Sequence, residues 1–264
     1  MAGDARSSTF MLATATVMLG APVDLLNFTP NTHSIGLVKD VVADQATGEV
    51  KLTHGQFNSI VDSKKNSAEN MVKFSVFEYT AKQLAYGLGI DGSTLTAQTA
   101  QTTIPNALNP PVNGSTSIVV AATTGFTVGR YILISEASGS NPEEDKIIAR
   151  QITGIVGTSI TVDTAIKVSF AAGAVVRQAN IIGIGRKTDD DILGMAISGT
   201  LSDNTPVVLY YPKVRVAKGF NMAFQVQQYG SMPFEITVMD STPSDPHYAR
   251  CQANGSASAF IVTT

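Results

Sequence analysis

Charge is scarce in this sequence: Asp, Glu, Lys and Arg make up only 15% of it, against roughly a quarter in ordinary soluble domains. So few charges point to a chain whose exterior is largely covered by copies of itself or by partners, although β-rich extracellular modules share this composition. The net charge of -3 leaves no global basic footprint for nucleic acid. Cys251 stands alone, which excludes an intrachain disulfide and argues against a cysteine-based zinc site. Tryptophan is absent and aromatic residues amount to 7%, which argues against a stacking groove for sugars or single strands. No apolar run approaches the ~20 residues that span a bilayer, so no membrane partner is expected. Residues 10–22, FMLATATVMLGAP, imitate a signal-peptide core, but Asp4 offsets Arg6, Thr14 and Thr16 interrupt the run, and no A-x-A site follows. The stretch 10–19 reads instead as a first strand.

Catalytic patterns are missing too. His33, His54 and His247 sit in different contexts, with no second histidine at metal-binding spacing. There is no G-x-S-x-G elbow and no P-loop. Gly183 and Gly185 give a bare G-x-G with neither the third glycine nor a following helix. The acidic groups Glu143-Glu144-Asp145 and Asp189-Asp190-Asp191 match no alternating calcium-loop pattern and read as solvated turns. Triads can assemble from distant residues, but no local arrangement suggests an activated nucleophile. The expectation is a non-enzyme with no catalytic, cofactor-binding or metal residues and no cofactor.

What is present is strand and turn, organised around one amphipathic stretch at 74–90, FSVFEYTAKQLAYGLGI. Phe77, Ala81, Leu84, Ala85 and Leu88 share one face at the helical period, the expected packing stripe. Glu78 and Lys82, four apart, would form its solvated side, and Gly87, Gly89 and Gly92 would end it. A stripe that narrow covers one side of a sheet. Before it, 35–43 and 49–57 read as two strands joined by a DQATG hairpin turn. Residues 58–70, NSIVDSKKNSAEN, break the β pattern and read as a projecting polar loop, and 71–76 returns as a strand.

From 94 to 114 the composition turns to Thr, Ala, Asn and Pro with almost no charge, a linker signal. Residues 116–178 then hold five short apolar runs with glycine-bearing turns, the signature of a small barrel or sandwich. Gly125, Gly129, Gly157 and Gly173 sit where tight turns need positive φ. Residues 181–186 read as a return strand. Near the end, Val214 and Val216 alternate with Lys213 and Arg215, and Phe234, Ile236 and Val238 with Glu235 and Thr237. Met222, Phe224 and Val226 alternate with Gln225 and Gln227, whose uncharged polar face suits a hydrated channel and an ordinary solvent face equally. Residues 259–263 can close the sheet. The expected class is mainly β: an antiparallel β-sandwich or barrel-forming domain with one packed α-helix (1–100 and 181–264), plus an inserted small all-β domain (101–180).

The order of these parts resembles the major tail tube proteins of tailed bacteriophages. The residues that carry it are Gly36-Leu37-Val38, the run Lys51-Leu52-Thr53-His54-Gly55, and Glu78, Thr80, Ala81 and 84–88 in the helix, with the terminal hairpin FNMAFQVQQYGSMPFEITVMD. It covers about 10–92 and 192–264; the inserted domain departs from a minimal tube subunit, and its GFTVGRYILI run is similar to small β modules in other tail proteins. The resemblance implies a virion protein assembled in the host cytoplasm, its sheets joined into hexameric rings around a closed barrel, which would leave no free sheet edge. The partners implied are further copies, tail sheath, baseplate initiator and tape measure proteins, with genome DNA passing through a lumen that does not hold it. It implies that Asn58, Asp62, Lys64, Lys65, Asn66 and Glu69 reach the next ring, and that Gln225 and Gln227 face the channel. A reading from another class is a monomeric β-sandwich surface or adhesion module whose glycine-rich turns present binding loops.

Overall fold

The computed structural model describes residues 15–54, 59–95, 97–137, 145–185, 190–200, 205–221 and 230–263, with the backbone alone at 47–54, 59–69 and 94. In chain order it forms β1 (Thr16–Gly20), a 3-10 turn (Pro22–Asn27), α1 (Pro30–His33), β2 (Val38–His54), β3 (Ser59–Val76), α2 (Ala81–Gly87) and a 3-10 turn (Gly92–Thr94). There follow β4 (Gln101–Thr103), β5 (Ser115–Val119), β6 (Tyr131–Glu136), β7 (Lys146–Val156), β8 (Ser159–Ile166) and β9 (Val175–Ala179). Then come β10 (Leu193–Thr200), β11 (Pro206–Lys218), β12 (Met232–Val238), α3 (Tyr248–Ala253) and β13 (Phe260–Thr263). All named strand pairs are antiparallel, so the fold is mainly β. The chain forms two compact units, Met1–Leu95 with Ile184–Thr264, and Thr96–Gly183.

The first unit holds a sheet in the order β1-β10-β11-β12-β3-β2, with β13 also paired to β11. β12 shows why these residues make a strand: its burial alternates strictly, with Met232, Phe234, Ile236 and Val238 inward. Phe234 stands opposite Phe74 of β3 and stacks on it at 5.1 Å. Val17, Leu19, Val72, Val76, Met195 and Val214 complete this core from four other strands. Each such buried aliphatic or aromatic side chain contributes about 1.5–3 kcal/mol relative to exposure. β1 and β2 end the strand order, yet Ala15 beside β1 and Val38 of β2 line one cavity. The sheet therefore curls round on itself.

The second unit is a six-stranded sheet, β4-β9-β6-β7-β8-β5. Its two ends are tied where Ala121 N donates to Thr103 O at 2.9 Å and Ala122 N to Thr102 Oγ1 at 3.0 Å. The sheet thus closes around Ile118, Ile132, Ile134, Ile160, Phe170 and Val176. Gly125, Gly129, Gly157 and Gly173 all have positive φ in the turns.

Several expectations are corrected. The DQATG segment is not a turn: β2 runs unbroken through it, and β3 pairs with β2 from Val38↔Val76 to His54↔Ser59. Gly48 marks a register shift instead. Residues 59–70 are strand, not loop. Beyond Asn70↔Val238 the described pairing of β3 is with β2 alone, so the two strands continue as a two-stranded ribbon. The helix is confined to Ala81–Gly87. Phe74 and Val76 belong to β3, where their alternation with Ser75 satisfies the period-2 pattern. Phe77 precedes the helix, and Ala81, Leu84 and Leu88 are only half-buried.

The face α2 buries is Gln83, Ala85, Tyr86 and Gly87. Gln83 Nε2 donates to Ile35 O at 3.1 Å, and Tyr86 Oη to Leu19 O at 2.6 Å. Gly87 meets Gly219 so closely that a Cβ would lie 2.9 Å from its carbonyl oxygen. Glu78 and Lys82 are not a solvated pair. Glu78 Oε1 accepts from Leu37 N at 3.1 Å, while Lys82 Nζ donates to the carbonyls of Thr32 and Ser34. There the ammonium faces the end of α1, and burial pushes its pKa down. Residues 181–185 are not strand, and Ile181 and Ile184 are exposed. The short helices α1 and α3 had no legible period; each is shorter than two turns.

Candidate functional site

Among the described residues no cluster of metal-ligating groups gathers, and the candidate site is taken where the first unit leaves strand edges unpaired. The outer edge of β1 is partly covered: Ile35 N donates to Val17 O at 3.1 Å, and Met18 bridges Ser34. The other free edges are not. Among the described residues β2 pairs only with β3, and β13 pairs only with β11. Residues 42–46 of β2 are exposed on both faces, Val42 at 47%. On β13, Ile261 and Val262 are 65% and 52% exposed.

Two adjoining cavities meet at Ala43, Leu209 and Ile261. One, about 660 Å³, is lined chiefly by apolar side chains that include Val38, Val41, Ile197 and Val207. The other, about 540 Å³, is polar, with Asp44, Gln45, Asn70, Asn254 and Ser258 on its walls. Asn70 Nδ2 donates to Ser258 Oγ at 2.7 Å, joining the root of the ribbon to the segment that leads into β13. The groove between β13 and the ribbon thus opens beyond this link.

Asp245 fixes the turn ahead of α3. Its Oδ2 accepts from Lys213 Nζ at 2.7 Å, Thr242 N at 2.6 Å and Thr242 Oγ1 at 2.7 Å. Lys213 first, then Thr242, pull its pKa from 3.8 to about 2. A carboxylate whose pKa falls on folding stabilises the fold above its unfolded pKa and loses that contribution as pH drops through the folded one. Asp245→Asn is therefore expected to melt below the parent at neutral pH and to show a shallower decline between pH 3.8 and about 2. Thermal melts across that window check this; superimposable acid profiles would contradict it.

Of the residues expected to reach a neighbouring ring, Asp62, Lys64, Lys65 and Glu69 stand in β3 opposite Leu52, Val50, Glu49 and Ala46. Asn66 falls at the register shift between Lys65 and Ser67. Asn58 lies outside the described residues, as do Gln225 and Gln227. The structure thus places the first set on a paired ribbon and corrects the loop assignment. The helix residues meet the sheet through Ala85, with Phe77 outside the helix. The free edge of β13 went unnoticed in the sequence; the uncharged FIVT at 260–263 was its only signal.

His33 and His247 each hold separate local contacts. His33 stacks on Phe28 at 4.4 Å, and its Nδ1 lies 3.1 Å from Thr29 N. His247, at φ 65°, directs Nε2 to Pro22 O at 3.1 Å. Among the described residues no three of His, Cys, Asp or Glu gather closely enough to hold a metal ion. Asp191 Oδ2 accepts from Asp91 N at 2.9 Å, so that acidic turn ties 190–191 to the end of α2.

No protein-family model matches the sequence, and no curated protein is similar to it. Among solved structures the chain is similar to the Gp54 tailspike of Acinetobacter baumannii bacteriophage AP22, determined in complex with a capsular saccharide of A. baumannii. The match has 15% identity and a TM-score of 0.27, and covers 32% of this chain and 15% of the tailspike. At that overlap it assigns neither fold nor activity.

Proposed function

We propose that the chain is a structural subunit of a phage tail tube, which assembles with copies of itself into stacked rings around a channel for DNA. The observation that carries this reading is the pair of unequal free edges, on β2 and β13, within one curled sheet. Unequal edges on one subunit favour head-to-tail contacts, which close into rings or run on as filaments. The ribbon of β2 and β3 supplies an extension for contact along a stack, and the low charge content suits burial between copies. Sheath, baseplate initiator and tape measure proteins would be the further partners, and the protein would act without catalysis.

Negative-stain microscopy with mass photometry of the purified chain tests this. Rings or hollow tubes of uniform width are expected. A chain that stays monomeric even when seeded with tail initiator, and instead binds a glycan or receptor, would overturn the tube in favour of an adhesion module.

A further inference from the structure

We propose that the free edge of β13 takes the free edge of β2, within residues 42–48, from a second copy of the chain. This rests on the self-assembly reading and names the surfaces that would carry it.

An exposed strand edge is a template for pairing, and monomers normally blunt it with lysine, proline, a bulge or a covering loop. Among the described residues β13 shows none of these: it is Phe-Ile-Val-Thr, in unbroken register with β11 from Tyr210↔Phe260 to Val207↔Thr263. Its open side faces the groove, and Ile261 is shared by both cavities there. A strand laid along β13 would gain backbone hydrogen bonds on one side and cover Ile261 and Leu209 with its side chains. Ile261 and Leu209 both line the apolar cavity, which such side chains would enter.

β2 has the matching properties. Between the bulge at Asp40, where φ is 57°, and the shift at Gly48, its ladder with β3 is regular. That leaves Val-Ala-Asp-Gln-Ala-Thr-Gly as an even edge with small side chains and one charge. Residues 42–46 are exposed on both faces, and among the described residues β2 pairs only with β3. Donor and acceptor edges differ, so each subunit would give one and take one. The contact would be head to tail, with no two-fold axis.

The test uses the full chain. Val262→Cys chains are mixed with chains carrying Val42→Cys, Asp44→Cys or Ala46→Cys and oxidised; Cys251 is fully buried. Cross-linked dimers are expected from at least one mixture and from neither partner alone. In parallel, Ile261→Lys should raise the concentration needed for assembly by at least about tenfold, since it puts an ammonium into an apolar contact. Its melting should be nearly unchanged, because Ile261 is mostly exposed. Tubes that form without any cross-link, or that form equally well from Ile261→Lys, overturn the edge assignment and leave the tube standing. Cross-linked dimers from a protein that never forms rings or tubes uphold the edge pairing and overturn the tube. A chain monomeric at every concentration, seeded or not, overturns both.

Discussion

Tyr86→Ala is expected to destabilise the first unit by about 3–5 kcal/mol, the usual cost of deleting a large buried aromatic. Tyr86 is fully buried in the core that joins β1, β3, β10 and β12. It is the point where α2 is fastened to the sheet, through packing and through the hydroxyl that donates to Leu19 O at 2.6 Å. Burial, with the nearby Asp91 carboxylate adding to it, pushes its pKa well above the ordinary phenol value, so the hydroxyl keeps its proton across the working pH range. Tyr86→Phe separates the two contributions. It keeps the ring but leaves a buried carbonyl unpaired, at about 1–3 kcal/mol. Urea unfolding followed by circular dichroism should order the chains as parent, Tyr86→Phe, then Tyr86→Ala. The second unit, whose core is a separate cluster, should keep its own transition. An alanine variant that unfolds with the parent would show that α2 is held by something other than this residue.

The same residue shows where sequence reasoning stopped. Hydrophobic period picked the stripe Phe77, Ala81, Leu84, Ala85 and Leu88, but α2 turns Gln83, Tyr86 and Gly87 to the sheet. Two of these are anchored by hydrogen bonds to Ile35 O and Leu19 O, and the third is buried because it lacks a side chain. An apolarity scale sees none of those reasons. Strands packed on a core were legible: β12 alternates inward and outward residue by residue, and the runs at 116–178 became β5 to β9. The ribbon was illegible for the converse reason. Its residues are mostly polar and lack the period-2 alternation of β12, so 58–70 looked like a loop and DQATG like a turn, although the backbone pairs throughout the described part. The groove beside β13 is a further case. FIVT reads as a strand in any context, whereas its unpaired edge depends on where β3 parts from the lane of β12, beyond Asn70↔Val238.

Shortening the ribbon is expected to leave the folded subunit intact and abolish its stacking. Residues 48–67 would be replaced by Asn-Gly, which joins Thr47 to Ala68, partners in the native ladder. Asn-Gly suits the two-residue turn whose twist matches such a hairpin. The described core of this unit draws on β3 only from Val72 onward and on β2 only at Val38 and Val41. The melting temperature should therefore move little, because a two-stranded ribbon alone is marginally stable and contributes little to the body that bears it. The free edge from Val42 to Thr47 survives the deletion, so contact between neighbours within a ring is retained. Only contact between rings is removed. Electron micrographs should then show isolated rings in place of tubes at concentrations where the parent forms tubes. Tubes of normal length from the shortened chain would remove the ribbon from any role in stacking. Loss of the rings as well would place the ribbon in the lateral contact instead, and the cross-linking pairs between β13 and β2 then decide which part of it lies there.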